Sequence, residues 1–147
     1  MKMFDRSLIG KKYPQIIFEI KEERLKLFAK ATGQSDQLYT NVKFAKEKGH
    51  PSLLAPPTFL TVVSMEQEDP YQYLKDLKIQ MGKLLHANQE YIYLLPIYAG
   101  DILRMESEIT DIFDKKEGSL QFVVFTSTYR NQDKVIVGKA KTTLVVR

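Results

Sequence analysis

The chain contains no cysteine, and its 147 residues include only two histidines, His50 and His86. The absence of cysteine excludes disulfide bridges, thiolate metal sites and a cysteine nucleophile. It also fits a cytoplasmic location, where thiols are kept reduced and disulfides are rare. Two histidines are too few for a dedicated histidine metal site of the usual kind. We therefore expect neither a bound metal nor a cofactor of the protein's own.

Long apolar runs and dense charge are missing as well. Residues 1–10 are polar and charged and lack the apolar core of a signal peptide. No apolar run approaches the ~20 residues that span a bilayer. The net charge is +4, but the lysines are scattered, with small clusters at residues 43–48 and 139–141. A nucleic-acid-binding surface would show a clustered basic stripe, so we expect no membrane and no nucleic-acid partner.

The composition, 44% hydrophobic and 27% charged residues, predicts one globular domain over residues 1–147. Helical periodicity dominates the first half, where Leu25, Phe28 and Ala29 fall on one face of a helix that ends at Gly33. The second half has strand-like segments instead, at residues 84–95, 102–112, 120–129 and 134–146. The spacing of these four strands, with polar connections at residues 114–118 and 131–133, predicts a four-stranded antiparallel meander.

Pro56 and Pro57 are the most informative local feature. Proline fits the first turn of a helix, where its missing N–H costs nothing. A mostly buried helix is therefore predicted to begin here and to continue through the apolar residues from Phe59 to Val63. Free N–H groups at a helix start can hold a carbonyl oxygen or an anion. A long central helix wrapped by a curved antiparallel sheet is the hot-dog architecture, an α+β fold.

Four segments, in chain order, resemble those of one enzyme family. They are residues 31–33, 49–59, 85–91 and 96–101. Their order and spacing resemble the MaoC-like dehydratase family, in particular its N-terminal, fungal-synthase-type dehydratase domain. The chain is also similar to the non-catalytic subunits of mycobacterial (3R)-hydroxyacyl-ACP dehydratases. The resemblance covers nearly the whole chain, and it implies the same hot-dog fold.

The resemblance implies a (3R)-3-hydroxyacyl-thioester dehydratase, which in reverse is a trans-2-enoyl-thioester hydratase of fatty-acyl metabolism. The acyl group would be carried by coenzyme A or by acyl carrier protein, so coenzyme A or phosphopantetheine would enter only as part of the substrate. The family's active site lies between chains, which implies a homodimer or a heterodimer with another hot-dog chain. The exposed edge of a single sheet favours the same assembly.

This chain departs from the family pattern at the catalytic loop. The family's loop, of the type Gly-Asp-x-Asn-Pro-x-His, aligns so that Gln34 stands at the acid position and Tyr39 at the histidine position. Glutamine does not transfer protons, and the ordinary pKa of tyrosine is near ~10. Pro57 falls near the glycine whose N–H polarises the thioester carbonyl, and proline has no N–H. The N–H groups of Thr58 and Phe59 are the remaining candidates.

Three functions are compatible with these departures. The chain is an enzyme with a rearranged site, or the non-catalytic acyl-binding subunit of a heterodimeric dehydratase, or a hot-dog acyl thioesterase in which Gln34 or Asp36 activates water. In the first case His86 is the base, with Asp36 or Glu90 as the acid, because His86, Asn88 and Glu90 alternate along a strand and are predicted to share one face. The predicted catalytic residues are His86, Asp36 and Glu90, and the predicted substrate-binding residues are Gln34, Tyr39, Ala55, Pro57, Thr58, Phe59 and Asn88.

Overall fold

A computed structural model describes residues 3–147 of the chain. Within this range the chain forms five β-strands and four α-helices. The strands are β1 (Ile16–Glu19), β2 (Leu84–Tyr93), β3 (Ile102–Lys115), β4 (Leu120–Arg130) and β5 (Ile136–Val146). The helices are α1 (Glu22–Thr32), α2 (Val42–Glu47), α3 (Leu60–Met65) and α4 (Gln72–Asp76).

The strands form an antiparallel sheet in the order β1-β3-β4-β5-β2. Strands β3, β4 and β5 follow one another as the predicted meander. The predicted four-stranded meander is wrong for β2, which does not pair with β3. It pairs instead with β5 at the opposite edge of the sheet, with Leu84 opposite Val146. Residues 94–101 carry the chain across the end of the sheet, where the Ala99 N–H donates to the Leu53 carbonyl at 2.9 Å.

The inner face of the sheet packs against α3. Phe59, Leu60 and Val63 lie in the main hydrophobic core and are 0–1% exposed. Leu103 and Met105 of β3, Tyr129 of β4, Val137 of β5 and Leu25 of α1 complete this core. A sheet wrapped around a buried helix is the hot-dog fold, so the predicted fold class is confirmed.

Helix α3 is shorter and begins later than the sequence predicted. It has six residues, Leu60–Met65, and the prolines lie in a turn before it rather than in its first turn. Thr58 has a φ of 72°, a left-handed conformation that a right-handed helix cannot contain, so the helix starts only after it. Neither α3 nor any other helix within residues 3–147 has the length and apolar character needed to cross a bilayer.

A second hydrophobic cluster lies at the other end of the inner face, beneath the N-terminal segment and α4. Its buried members are Phe4, Leu77, Ile109, Ile112, Val123, Phe125, Leu144 and Val146. Asp76 fastens the covering segments together, because its Oδ2 lies 2.7 Å from Lys11 Nζ and accepts a hydrogen bond from Tyr13 Oη at 3.0 Å. The separation of the two clusters leaves room between them for a cavity.

Gly138 of β5 is a position of close approach. A Cβ added there would lie 3.1 Å from the Ile92 carbonyl oxygen and 3.3 Å from Leu60 Cδ1. The glycine therefore lets β2 and α3 approach the same point of β5.

Candidate functional site

A cavity of about 300 Å³, here called the inner cavity, lies between the inner face of the sheet and the segment that contains α3 and α4. The covering side is formed by Thr61, Ser64 and Met65 of α3 and by residues 69–73. The sheet contributes hydroxyl, amide, imidazole and aromatic side chains, among them His86, Gln89, Tyr91, Ser107, Ser127 and Thr142. The cavity thus combines hydrogen-bonding groups with aromatic surface.

Several polar groups of this wall are already paired. Ser127 Oγ donates to Ser107 Oγ at 3.2 Å, and Thr142 Oγ1 donates to Gln89 Oε1 at 2.8 Å. Tyr129 Oη donates to the Leu60 carbonyl at 3.2 Å. Burial raises the pKa of Tyr129, so its hydroxyl stays protonated at neutral pH. These contacts fix the wall, and His86 adds an exposed imidazole to it.

The prediction that His86, Asn88 and Glu90 share one face is wrong. The register of β2 against β5 shifts between His86 and Asn88, because Ala87 is an extra residue that forms a β-bulge. A shift of one residue moves the following side chains to the other face. Asn88 and Glu90 therefore lie on the outer face of the sheet, where Asn88 Nδ2 donates to Glu90 Oε1 at 3.0 Å. Glu90 cannot act as an acid beside His86.

Sequence reasoning missed Gln89 and Tyr91, which the bulge turns towards the inner cavity beside His86. Simple alternation from His86 assigns them to the opposite face, and the sequence around Ala87 has no glycine that would mark a bulge. The bulge becomes visible only when β2 is aligned against β5, where Gln89 opposes Thr142.

A second cavity, here called the loop cavity, has a volume of about 390 Å³ and is mainly apolar. It is lined by Tyr39, the segments 54–57 and 59–60, and residues 93–97 at the end of β2. Four of the predicted substrate-binding residues meet here: Tyr39, Ala55, Pro57 and Phe59. Segments far apart in the chain thus converge on one apolar pocket.

Gln34 and Asp36 do not line either cavity. The Asp36 carboxylate accepts the Leu38 N–H at 2.9 Å and so caps the short 3-10 helix Gln37–Tyr39. Gln34 Oε1 in turn accepts the Asp36 N–H at 3.2 Å. Both side chains hold the loop that presents Tyr39 to the loop cavity, and the structure does not bring Asp36 together with His86.

The two N–H groups predicted to take a thioester carbonyl both have partners within the chain. Thr58 donates its N–H to Tyr93 Oη at 2.7 Å, and Phe59 donates to the Pro56 carbonyl at 3.1 Å. Burial raises the pKa of Tyr93 although the Thr58 N–H acts in the opposite direction, so the phenol is neutral at pH 7. The Tyr93 hydroxyl thus occupies the acceptor position of the Thr58 N–H.

Tyr91 and Tyr93 join the lining of the inner cavity to the lining of the loop cavity. Tyr91 lines the first and Tyr93 lines the second, and their rings stack with centroids 6.1 Å apart and planes inclined by 22°. The Tyr91 hydroxyl is hydrogen-bonded to Thr61 Oγ1 in α3. The stacked pair, called here the tyrosine partition, thus connects β2 to both Thr58 and α3.

The described part of the chain also limits the chemistry of the site. Residues 3–147 contain no group of three or more His, Asp or Glu side chains placed to hold a metal ion. Asp69 does line the inner cavity, but its Oδ2 lies 2.7 Å from Lys75 Nζ. The hydrogen bond from Lys75 lowers the pKa of Asp69, so this carboxyl is ionised at neutral pH and holds no proton to donate.

Comparisons with known sequences give two findings. A family model described as "FAS1-like, dehydratase domain region" matches residues 7–140. A UPF0336 protein from Saccharopolyspora erythraea is 32% identical over 144 residues, which are 97% of this chain and 91% of that protein.

Solved structures agree with the observed architecture. A C-terminally truncated HadBC (3R-hydroxyacyl-ACP dehydratase) complex from Mycobacterium tuberculosis superimposes with a TM-score of 0.74 and 25% identity, covering 90% of this chain and 92% of that one. A MaoC-like dehydratase superimposes with a TM-score of 0.84 at 21% identity, over 95% of this chain and 42% of the other, and this shows the shared fold. The resemblance predicted from the four segments is confirmed.

Proposed function

Because this chain belongs to the family of FAS1-like dehydratase domain regions, we propose that it binds fatty-acyl thioesters and takes part in interconverting (3R)-3-hydroxyacyl and trans-2-enoyl thioesters. The apolar loop cavity supports acyl binding, because Tyr39, Ala55 and Pro57 converge there from separate segments. Pockets of this size, apolar and with few polar groups, are typical of small-molecule sites. The Thr58 N–H lies beside this cavity through its bond to Tyr93.

The observation that supports a non-catalytic role is the bulge at Ala87. The reaction needs a base near C2, an acid near the C3 oxygen and a donor to the thioester carbonyl. His86 is the candidate base, but the bulge puts Glu90 on the outer face, and Asp36 caps a distant loop. Within this chain, His86 therefore has neither Glu90 nor Asp36 beside it as an acid. The geometry best supports the alternative that the chain is a non-catalytic acyl-binding subunit.

We propose that a second hot-dog chain, identical or different, supplies the missing catalytic groups. Strand β2 is an edge strand. Ile92 within it and Leu94 and Leu95 directly after it are 44–54% exposed. Edge strands with exposed apolar side chains are natural positions for strand pairing between chains. Leu94 and Leu95 also line the loop cavity, so a partner at this edge would lie next to the bound acyl group.

The thioesterase alternative loses its support. It needs Gln34 or Asp36 beside the substrate to activate water, and both side chains instead hold the loop before Tyr39. No other feature of the two cavities favours thioester hydrolysis over hydration.

The proposal is tested by measuring binding and hydration of crotonyl-CoA by the purified chain. We expect saturable binding, detected by titration calorimetry, and no loss of the enoyl absorbance, with or without the substitution His86→Ala. Leu94→Gln should weaken binding roughly tenfold, because apolar burial of part of a leucine is lost. Leu27→Gln, at an exposed leucine of α1 away from both cavities, is the matched control.

Two results would contradict the proposal in different ways. Turnover that disappears in His86→Ala would make the chain a complete enzyme with His86 as its base. Absence of binding to crotonyl-CoA and to longer acyl-CoA molecules, in a folded protein, would reject acyl-thioester binding itself.

A further inference from the structure

The hydrogen bond between Thr58 and Tyr93 has the geometry of an internal substitute for a ligand. The Thr58 N–H donates to a neutral phenol oxygen at 2.7 Å, which is the distance expected for an N–H donating to a carbonyl oxygen. Tyr93 is 47% exposed. Its ring can therefore turn towards solvent without opening the hydrophobic core.

Tyr91 is held more firmly than Tyr93. It packs against the main core cluster, and its hydroxyl is bonded to Thr61 in α3. Tyr93 is not part of that cluster, and its hydroxyl is bonded to Thr58 in the turn before α3. Of the two rings of the tyrosine partition, Tyr93 is the one that can leave.

The residue that donates this N–H, Thr58, has a strained backbone conformation. A φ of 72° places a β-branched residue in the left-handed region, which is costly for any residue except glycine. Strained residues of this kind are concentrated at active sites and ligand clamps. The strained residue and its hydrogen bond to Tyr93 lie together at the edge of the loop cavity.

We propose that Tyr93 is a displaceable partition that couples recognition of the thioester carbonyl to the length of the acyl chain. The carbonyl oxygen of an acyl thioester replaces the Tyr93 hydroxyl on the Thr58 N–H, and the displaced ring opens the passage from the loop cavity to the inner cavity. Short acyl chains are held in the loop cavity, of about 390 Å³. Longer chains continue past Tyr91 into the inner cavity, of about 300 Å³. This inference rests on the proposed acyl-thioester binding.

The test compares Tyr93→Phe with Tyr93→Ala and with the control Tyr98→Phe. Tyr93→Phe keeps the ring and removes the competing hydroxyl, so the affinity for butyryl-CoA should rise about fivefold, the typical value of one hydrogen bond. Tyr98→Phe removes a hydroxyl that is bonded to His50 and lines neither cavity, and it should leave that affinity unchanged. Tyr93→Ala also removes the ring, so it should strengthen binding of palmitoyl-CoA more than binding of butyryl-CoA.

Amide NMR gives a readout that does not depend on acyl affinity. The Thr58 amide proton should exchange with solvent faster in Tyr93→Phe than in the wild type, and butyryl-CoA should restore its protection. Thermal unfolding of each variant verifies that the fold is retained.

The outcomes separate this inference from the proposed function. If wild type and Tyr93→Phe bind butyryl-CoA equally well and protect the Thr58 amide equally, Tyr93 does not compete with the carbonyl and the inference is overturned, while acyl binding stands. If Tyr93→Ala does not change the preference between palmitoyl-CoA and butyryl-CoA, the passage between the cavities is rejected. If no form of the protein binds any acyl-CoA, the proposed function fails and the inference fails with it.

Discussion

At the scale of single residues, Thr58 shows how backbone strain can be measured. Its left-handed φ of 72° costs roughly 1–2 kcal/mol for a residue with a side chain. Thr58→Gly should remove this cost. The greater conformational entropy of the unfolded chain should in turn lower the free energy of unfolding by about 0.5–1 kcal/mol. We therefore expect the free energy of unfolding, measured with urea, to rise by up to about 1 kcal/mol.

Lys43→Gly is the matched control for this prediction, because Lys43 is exposed and lies within α2 in ordinary helical conformation. Glycine at such a position should lower the free energy of unfolding by about 1 kcal/mol. A loss of stability in Thr58→Gly as large as in Lys43→Gly would show that the Thr58 side chain stabilises the fold more than its backbone strains it.

At the scale of secondary-structure elements, Gly138 sets the distance between β5, β2 and α3. An added Cβ would press on the Ile92 carbonyl at 3.1 Å and on Leu60 Cδ1 at 3.3 Å. The carbonyl belongs to the backbone of a paired strand and has little freedom to move. Gly138→Ala should therefore lower the free energy of unfolding, measured by thermal unfolding, by about 1–3 kcal/mol, because the added methyl group overpacks this contact.

Gly82→Ala provides the comparison for this substitution. No atom lies within 4 Å of the Cβ that it would add, and Gly82 sits in the short 3-10 helix Met81–Lys83. The free energy of unfolding of Gly82→Ala should stay within about 0.5 kcal/mol of the wild-type value. Equal stabilities of the two alanine variants would contradict the close approach described for Gly138.

The elements also show which parts of the structure the sequence can predict. Helix α1 follows from local periodicity, and its end at Gly33 follows from the left-handed φ of 72° that glycine adopts readily. The start of α3 could not be predicted, because Thr58 takes a conformation that its own residue type disfavours. The pairing of β2 with β5 depends on residues 45–62 positions apart, and local patterns contain no information on such pairings.

The candidate site likewise has a part that the sequence predicts and a part that it does not. Tyr39, Ala55, Pro57 and Phe59 could be assigned to one pocket because aligned segments preserve their order, whatever the local conformation. The grouping of His86 with Glu90 failed because it assumed unbroken alternation along β2. A bulge arises from the fit of one strand to its neighbour, and the residues of β2 by themselves do not reveal it.

At the scale of the whole molecule, Asp76 connects the beginning of the chain to α4. Burial raises the pKa of Asp76, but hydrogen bonds from Lys11, Gln72 and Tyr13 outweigh this effect and leave the pKa below its ordinary value. The folded state then binds fewer protons than the unfolded state at acid pH. The stabilisation is complete above the unfolded pKa, near ~3.9, and is lost as the pH falls through the lower folded pKa.

We therefore expect Asp76→Asn to lower the free energy of unfolding at pH 7 by about 1–3 kcal/mol, since hydrogen bonds to a charged group are lost. The difference from the wild type should shrink as the pH is lowered below about 4. Urea unfolding at several pH values between 3 and 7 measures both effects. A difference that stays constant over this range would show that the ionised form of Asp76 is not what stabilises the fold.

The bulge at Ala87 has a consequence for how this strand can change in length. His86 opposes Leu144 and Asn88 opposes Thr143, so the residues before and after the bulge already stand in consecutive register on β5. Deleting Ala87 would preserve which side chains point inward, whereas a deletion anywhere else within the strand would exchange inward for outward side chains beyond it. Insertions and deletions among relatives should therefore accumulate at this one position, where the strand can tolerate them.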